Sequence, residues 1–520
     1  MKPGDIEALR ARGMQPEEVE SQIERFRKGA PFLDLVRPCT VGDGIVRLTE
    51  DHQERCLQIF EGRARGRRLV KFVPASGAAS RMFRDLLKIR KEVEPVRMDR
   101  VRVLAEEGDG AARAGIQFME GIRRFAFFAD LRDRMAAGGL SIEEGIEAGD
   151  FTDILDYLLT DQGLDYASLP KGLLLFHAYP ERPRTAFEEH LVEAEGYDRS
   201  GDGVCRLHFT VSEEHLSGFE RRFTEAKPAF ESAYGASYAV EFSFQDPSTD
   251  TIAVDLENEP FRTEEGDLLF RPGGHGALIR NLGGIDADLI FVKNIDNVAV
   301  DRLKPPAIRW KKILAGFLLD LQAKVFSRLD ALERGAPDER AEEDAAAFLR
   351  DELGVDVEAE RKGASGEVWR GRLVELLERP LRVCGMVENA GEPGGGPFWV
   401  KGKSGRISRQ IVEKAQVDLE AASQQERWRS STHFNPVDIV CATRGLDGRP
   451  FDLSRFVDPE AVIITRKSMG GRDLKALELP GLWNGGMAWW HTVFIEVPLV
   501  TFNPVKTVTD LLREAHQPSE

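Results

Sequence analysis

The stretch VKFVPASGAASRMFRDLL, residues 70–87, decides the fold. It passes from a short apolar run through a cluster of small residues to an arginine and then to a helical pattern. The apolar run predicts a strand, and Arg81-Met82-Phe83 predicts the start of a helix. Between them the small residues Ser76, Gly77, Ala78, Ala79 and Ser80 leave the backbone uncovered. Free amides and the positive end of a helix then converge on one point, which suits a phosphate group. Arg81 adds a cation that can neutralise it. The bland alternative is a tight strand-to-helix connection with nothing bound. A dinucleotide fold of the dehydrogenase type is less favoured, since its fingerprint needs three spaced glycines and this loop has only Gly77. The P-loop pattern also fails for want of Gly-Lys-Ser/Thr.

Outward from this stretch the chain alternates short β-rich runs with helical ones. LVKFV, VCRLHFTV, YAVEFSF, LIFVKNI, RVCGMV, AVIIT and TVFIEVPLV read as strands, which predicts an α/β fold. Residues 1–68 read as a helical segment packed on the core. Residues 69–321 read as a nucleotide-binding α/β core carrying a helical insertion at about 84–167. A second helical insertion covers 322–378, the rest of the core 379–512, and a flexible tail 513–520. The acidic run ERAEEDAAAFLRDELGVDVEAE reads as a solvated helix face.

At 520 residues with 42% hydrophobic content the chain can bury a large core. A net charge of −17 excludes a broad nucleic-acid surface, while a small anion remains accessible to a few local cations. The chain has no apolar run of about 18 residues and no signal-peptide pattern at its charged N-terminus, so no membrane partner is expected and the cytoplasm is the expected compartment. The five cysteines are scattered and read as reduced core residues.

Two further stretches point to nucleotide chemistry. RPGGHGALIRNL sets Gly273, Gly274 and Gly276 around His275 just before a helix, allowing close backbone approach to a flat ring. LIFVKNIDNVAVD ends an apolar strand in Asn294, Asp296 and Asn297. Ligands of open α/β sheets lie beyond the carboxyl ends of strands, and one carboxylate with substrate phosphates can hold Mg²⁺. Both stretches also admit plain turn readings, a glycine turn and an Asx cap.

Six elements in one order then resemble the UDP-sugar pyrophosphorylase group of nucleotidylyltransferases. They are PASGAASRM (74–82), PKGLLLFH (170–177), FSFQDPS (242–248), PGGHG (272–276), KNIDNV (293–298) and FNPVKTVTDLL (502–512). The chain is also similar to a bacterial family of unknown function in that superfamily. The resemblance implies a Rossmann-like, mixed-sheet nucleotide-diphospho-sugar transferase core of the GT-A-like type with helical insertions. It implies Ser76, Gly77, Ala78 and Ser80 as phosphate-binding, Arg81, Lys171 and Lys506 as the catalytic cations, and Asp296 as the magnesium ligand. Gln245, Gly273, Gly274, His275 and Gly276 would read the base, and Glu392 and Asn484 would contact the sugar. Ala79 stands where relatives have glycine, so its methyl is expected near the phosphates. Lys88 is a rival to Lys171, because relatives keep the Pro-Lys close to the first loop. The implied activity is magnesium-dependent coupling of a nucleoside triphosphate, UTP in the family, to a sugar-1-phosphate with pyrophosphate release. The alternative is a non-catalytic nucleotide or sugar-nucleotide binding protein on the same fold.

Overall fold

Val70, Phe72 and Val73 are buried in the strand Leu69–Pro74, as an apolar β-branched run at the centre of a sheet should be. The structure, a computed structural model, describes residues 3–334, 338–391, 394–403 and 405–518. The chain divides into two compact units. Unit 1 comprises Met1–Phe72, Ser243–Val292 and Trp310–Leu499, and unit 2 comprises Val73–Phe242, Lys293–Arg309 and Val500–Glu520.

Unit 1 is built on a large mixed sheet. Its strands run in the order Thr40–Val41, Gly44–Val46, His491–Glu496, Leu381–Glu388, His433–Ala442, Leu289–Val292, Leu69–Pro74. Leu289–Val292 lies parallel to Leu69–Pro74, pairing Leu289 with Leu69 and Val292 with Phe72. Leu381–Glu388 is parallel to His491–Glu496, while His433–Ala442 runs antiparallel to its two neighbours. All ten residues of His433–Ala442 are buried although Pro436 lies inside it. A central proline removes a ladder donor, and the sheet absorbs it with a register shift at Gly385/Val387 and a positive φ of 59° at Val437. The sequence reading missed this strand because Asn435-Pro436 reads as a turn. The buried Asp438 in the same strand is paired with Lys311.

A four-stranded antiparallel sheet and a three-stranded one complete unit 1. The helix Pro16–Lys28 covers the four-stranded sheet with Val19, Ile23 and Phe26, and Gln22 accepts from the amide of Ile252 at 2.9 Å. The three-stranded sheet comprises Asp34–Pro38, Gly396–Lys401 and Ile407–Val412. Residues 1–68 are therefore not wholly helical, since Asp34–Pro38, Thr40–Val41 and Gly44–Val46 are strands. The boundary read at 321/322 is crossed by one 31-residue helix, Lys304–Arg334.

Unit 2 packs six helices between Arg84 and Leu159 onto a core rich in phenylalanine, with Phe125 stacked on Phe127 at 4.9 Å. The helices Ala186–Glu195 and Leu216–Tyr234 and the neighbouring strands Val204–Thr210 and Ser237–Ser243 complete it. Residues returning at 500–518 add Val505, Val508 and Leu511 to the same core. The five cysteines are buried and none of them forms a disulfide among the described residues. No helix among the described residues is long and apolar enough to cross a membrane.

Candidate functional site

In unit 2 the first loop is held from two sides. The amide of Ala75 donates to the Thr210 carbonyl at 2.8 Å, and the Ser212 hydroxyl donates to the Ser76 carbonyl at 3.2 Å. Ala79 is fully buried in the apolar core and its amide donates to Leu169 O at 2.9 Å. Its methyl therefore points away from the exposed loop face, contrary to the expectation that it stands near the phosphates. Gly77, Ala78, Ser80 and Arg81 are exposed. The amides of Gly77, Ala78 and Ser80 find no acceptor among the described residues. A Cβ on Gly77 would meet nothing within 4 Å. The loop continues as a 3-10 turn, Ala79–Arg81, and the α-helix starts only at Arg84, so the donors belong to the turn and not to the helix end the sequence predicted.

The segment Ala78–Ala79 runs beside Leu169–Pro170, which carries Lys171 next to the loop. Only glycine fits at 172, because a Cβ there would stand 2.7 Å from the Phe219 ring. Lys171 Nζ donates to Asp296 Oδ2 at 2.8 Å and to the Val505 carbonyl at 2.7 Å. Lys506 Nζ reaches Asp296 Oδ2 at 3.2 Å and Oδ1 at 3.4 Å. Asp296 thus carries two ammonium groups. Burial pushes its carboxyl pKa up, and Lys171 and Lys506 together outweigh burial and hold it below the usual carboxylate value.

The backbone supports of this cluster were not legible in the sequence. Val505 N donates to Asp296 O at 3.0 Å, and Asn297 Oδ1 accepts from Asn503 N at 2.9 Å. The Asp510 carboxylate takes the amides of Lys506 and Thr507 at 2.8 and 2.7 Å. The local signal for Asp510 was the TVTD capping pattern at 507–510. Lys88, the rival lysine, lies on the helix Arg84–Glu92 and is neutralised by Asp109 at 2.6 Å.

In unit 1 the glycines of the second motif have packing reasons. A Cβ on Gly273 would lie 2.4 Å from Thr249 O, and one on Gly276 2.5 Å from Pro480 O; Gly274 has φ +73°. His275 stacks on Trp483 with centroids 4.4 Å apart and planes 8° off parallel. Its Nδ1 accepts from Leu482 N at 3.1 Å, which leaves the proton on Nε2, 3.4 Å from Glu413 Oε1. His275 is therefore engaged with its own unit on both ring nitrogens. Asn484 is buried, and its Nδ2 donates to Gln416 Oε1 at 3.2 Å while its Oδ1 finds no donor among the described residues. Gln245 is half-buried and makes no hydrogen bond to another described residue. Glu392 lies outside the described residues. Glu413 and Gln416 escaped the sequence reading; their signal was polar residues directly following the apolar end of the strand Ile407–Val412.

No group of three or more His, Cys, Asp or Glu among the described residues could hold a metal by itself. Asp296 offers one ionised carboxylate, which fits magnesium only where phosphate oxygens supply the other ligands.

The chain belongs to the family described as domain of unknown function (DUF4301), whose model matches residues 2–517. No curated protein matches it. Solved structures similar to it include a UDP-glucose phosphorylase from Trypanosoma brucei, at 13% identity and TM-score 0.44, covering 99% of this chain and 79% of that one. The UDP-glucose pyrophosphorylase of Leishmania major is similar at 12% identity and TM-score 0.43, with 98% and 77% covered. The uridine diphosphate N-acetylglucosamine pyrophosphorylase of Trypanosoma brucei is similar at 11% and 0.46, with 95% and 74% covered.

Proposed function

We propose that the protein is a nucleotidylyltransferase that couples a nucleoside triphosphate, UTP by its motif pattern, to a sugar-1-phosphate. The observation that carries this reading is the Lys171–Asp296–Lys506 cluster beside a loop of unpaired amides. In the reaction an oxygen of the sugar phosphate attacks the α-phosphorus, the α–β bridging bond breaks, and pyrophosphate leaves. The attacking oxygen is already anionic, so no general base is required. The barrier is the gathering of negative charge, and positioned cations lower it. Lys171 and Lys506 supply two charges, held together by Asp296. The amides of Gly77, Ala78 and Ser80 and the Arg81 guanidinium would hold the β- and γ-phosphates. Magnesium held by Asp296 and the phosphates would add Lewis-acid stabilisation of the same charge.

The test is pyrophosphate release from UTP with a panel of sugar-1-phosphates and magnesium, wild type beside Asp296→Ala. We expect turnover in the wild type and a loss of about 10²–10³-fold in the variant, with nucleotide affinity less affected. Near-normal magnesium-dependent turnover in Asp296→Ala would reduce Asp296 to a turn residue. Wild type that releases no pyrophosphate with any member of the panel, yet binds UTP, would leave the non-catalytic nucleotide-binding reading in its place.

A further inference from the structure

Unit 1 contains a second concave region, distinct in its residues from the loop and lysines above. It is a cavity of about 660 Å³ bordered by the strand Ile407–Val412, by Arg379 ahead of the strand Leu381–Glu388, and by the first residues of the strand His491–Glu496. Its wall carries three arginines, Arg379, Arg406 and Arg409, two lysines, Lys401 and Lys403, and the residues Trp489, Trp490 and His491.

The cations of this wall differ in what neutralises them. Lys403 is paired with Glu460, and Arg406 with Glu360. Arg409 has only the carbonyl of Glu352 at 3.3 Å and the face of Trp399, 5.8 Å away. Neither Arg409 nor Arg379 forms an ion pair with a carboxylate among the described residues. Trp490 and His491 are 5% and 3% exposed, and Trp490 Nε1 and His491 Nε2 find no hydrogen-bond partner there. Arg379 and Arg409 are half-buried, and cations partly withdrawn from water without a carboxylate cost free energy, so two of them beside one cavity mark the position of a missing anion. Burial lowers Arg409 to about 10. Burial, with the nearby guanidiniums of Arg379 and Arg409, lowers His491 to about 3. In a chain of net charge −17, cations left without carboxylates at one place are a specific arrangement.

We infer that this cavity binds a phosphorylated small molecule, with its phosphate held by Arg379 and Arg409 and its organic part against Trp489. The guanidinium fork matches a phosphate in bidentate geometry, and Trp489, 44% exposed, supplies an apolar wall at the rim. The assignment goes beyond the transfer reaction and does not depend on it.

The test is calorimetric titration of the full chain with inorganic phosphate, inorganic sulfate and phenyl phosphate, in the absence of nucleotide. Phenyl phosphate should bind several-fold more tightly than either inorganic anion. Arg379→Gln and Arg409→Gln should each weaken it at least tenfold. Trp489→Ala, at an exposed ring on the rim, should weaken phenyl phosphate several-fold while leaving inorganic phosphate unchanged, and guards against a misfolded arginine variant. Lys506→Ala should bind phenyl phosphate at wild-type affinity, even if the transfer activity proposed above proves absent. Undiminished affinity in all three cavity variants would overturn the proposal. So would a loss confined to Lys506→Ala, which would assign the binding to the lysine cluster. Equal affinity for sulfate and phenyl phosphate would overturn the organic subsite.

Discussion

Asp296 holds two ammonium groups unequally. Its own side chain is 10% exposed and that of Lys171 13%, whereas Lys506 is 41% exposed. Removing one partner of a buried pair leaves the other charge uncompensated, while a partly solvated partner is replaced by water. Lys171→Met should therefore cost about 3–5 kcal/mol of unfolding free energy, read from denaturant melts. Lys506→Met should cost less than about 1 kcal/mol on the same measurement yet still depress pyrophosphate release. Equal destabilisation by the two substitutions would show that the lysines are interchangeable structural counter-ions. The pH dependence has a fixed sign. Because Asp296 is held below its unfolded value, its contribution is present above that value and is lost as pH falls through the folded one.

The two glycine motifs separate packing from binding at the level of the element. A Cβ on Gly276 would meet the carbonyl oxygens of Pro480 and Leu479 at 2.5 and 2.7 Å, and backbone cannot step aside as a side chain can. Gly276→Ala should thus destabilise unit 1 by about 1–3 kcal/mol. A Cβ on Gly77 faces open space at the exposed loop. Gly77→Ala should leave the melting midpoint within about 0.5 kcal/mol of wild type while weakening triphosphate binding by calorimetry. If Gly77→Ala also binds UTP normally, the loop is a connection and nothing more. The same contrast explains what the sequence could convey. Leu69–Pro74, Leu289–Val292 and His491–Glu496 were legible because buried strands are uninterrupted apolar runs. His433–Ala442 was illegible because its proline is tolerated only through a bulge formed with a strand distant in sequence. Lys171 and Lys506 could be named from their motifs, but their meeting on Asp296 depends on Gly172, Asn503 and Asp510, whose roles are set by tertiary contacts. The Ala79 substitution misled for a related reason: one methyl in a loop has two faces to choose from, and the core took it.

Across the whole molecule, folding holds three histidines below the ordinary imidazole value, His491 in unit 1 and His516 and His208 in unit 2. In unit 1, His491 is pushed down to about 3 by burial and by Arg379, against weaker support from the backbone at Leu377 and Leu376. In unit 2, His516 is pushed down to about 3 by burial and by His177 and Arg513, with Glu189 opposing. His208 shifts in the same direction through burial, opposed by Glu241. The unfolded chain takes up a proton at His491 and at His516 below the ordinary value of 6.5, and the folded chain does so only near 3. Stability is therefore complete above that value and falls as pH drops, at about 1.4 kcal/mol per pH unit for each histidine. Asp296 and Glu189 are both held below their usual values, so their losses begin only at more acid pH. The interval between about pH 6.5 and 4.5 thus separates the histidines from these two carboxylates. Denaturant melts at pH 7.5 and 5.5 should differ by about 3 kcal/mol from His491 and His516 together. His516→Gln, neutral at every pH, should reduce the slope below pH 6.5 by about one proton, and His491→Gln should do the same independently. A slope unchanged in both variants would mean that neither ring resists protonation in the folded chain, and that its acid sensitivity arises elsewhere.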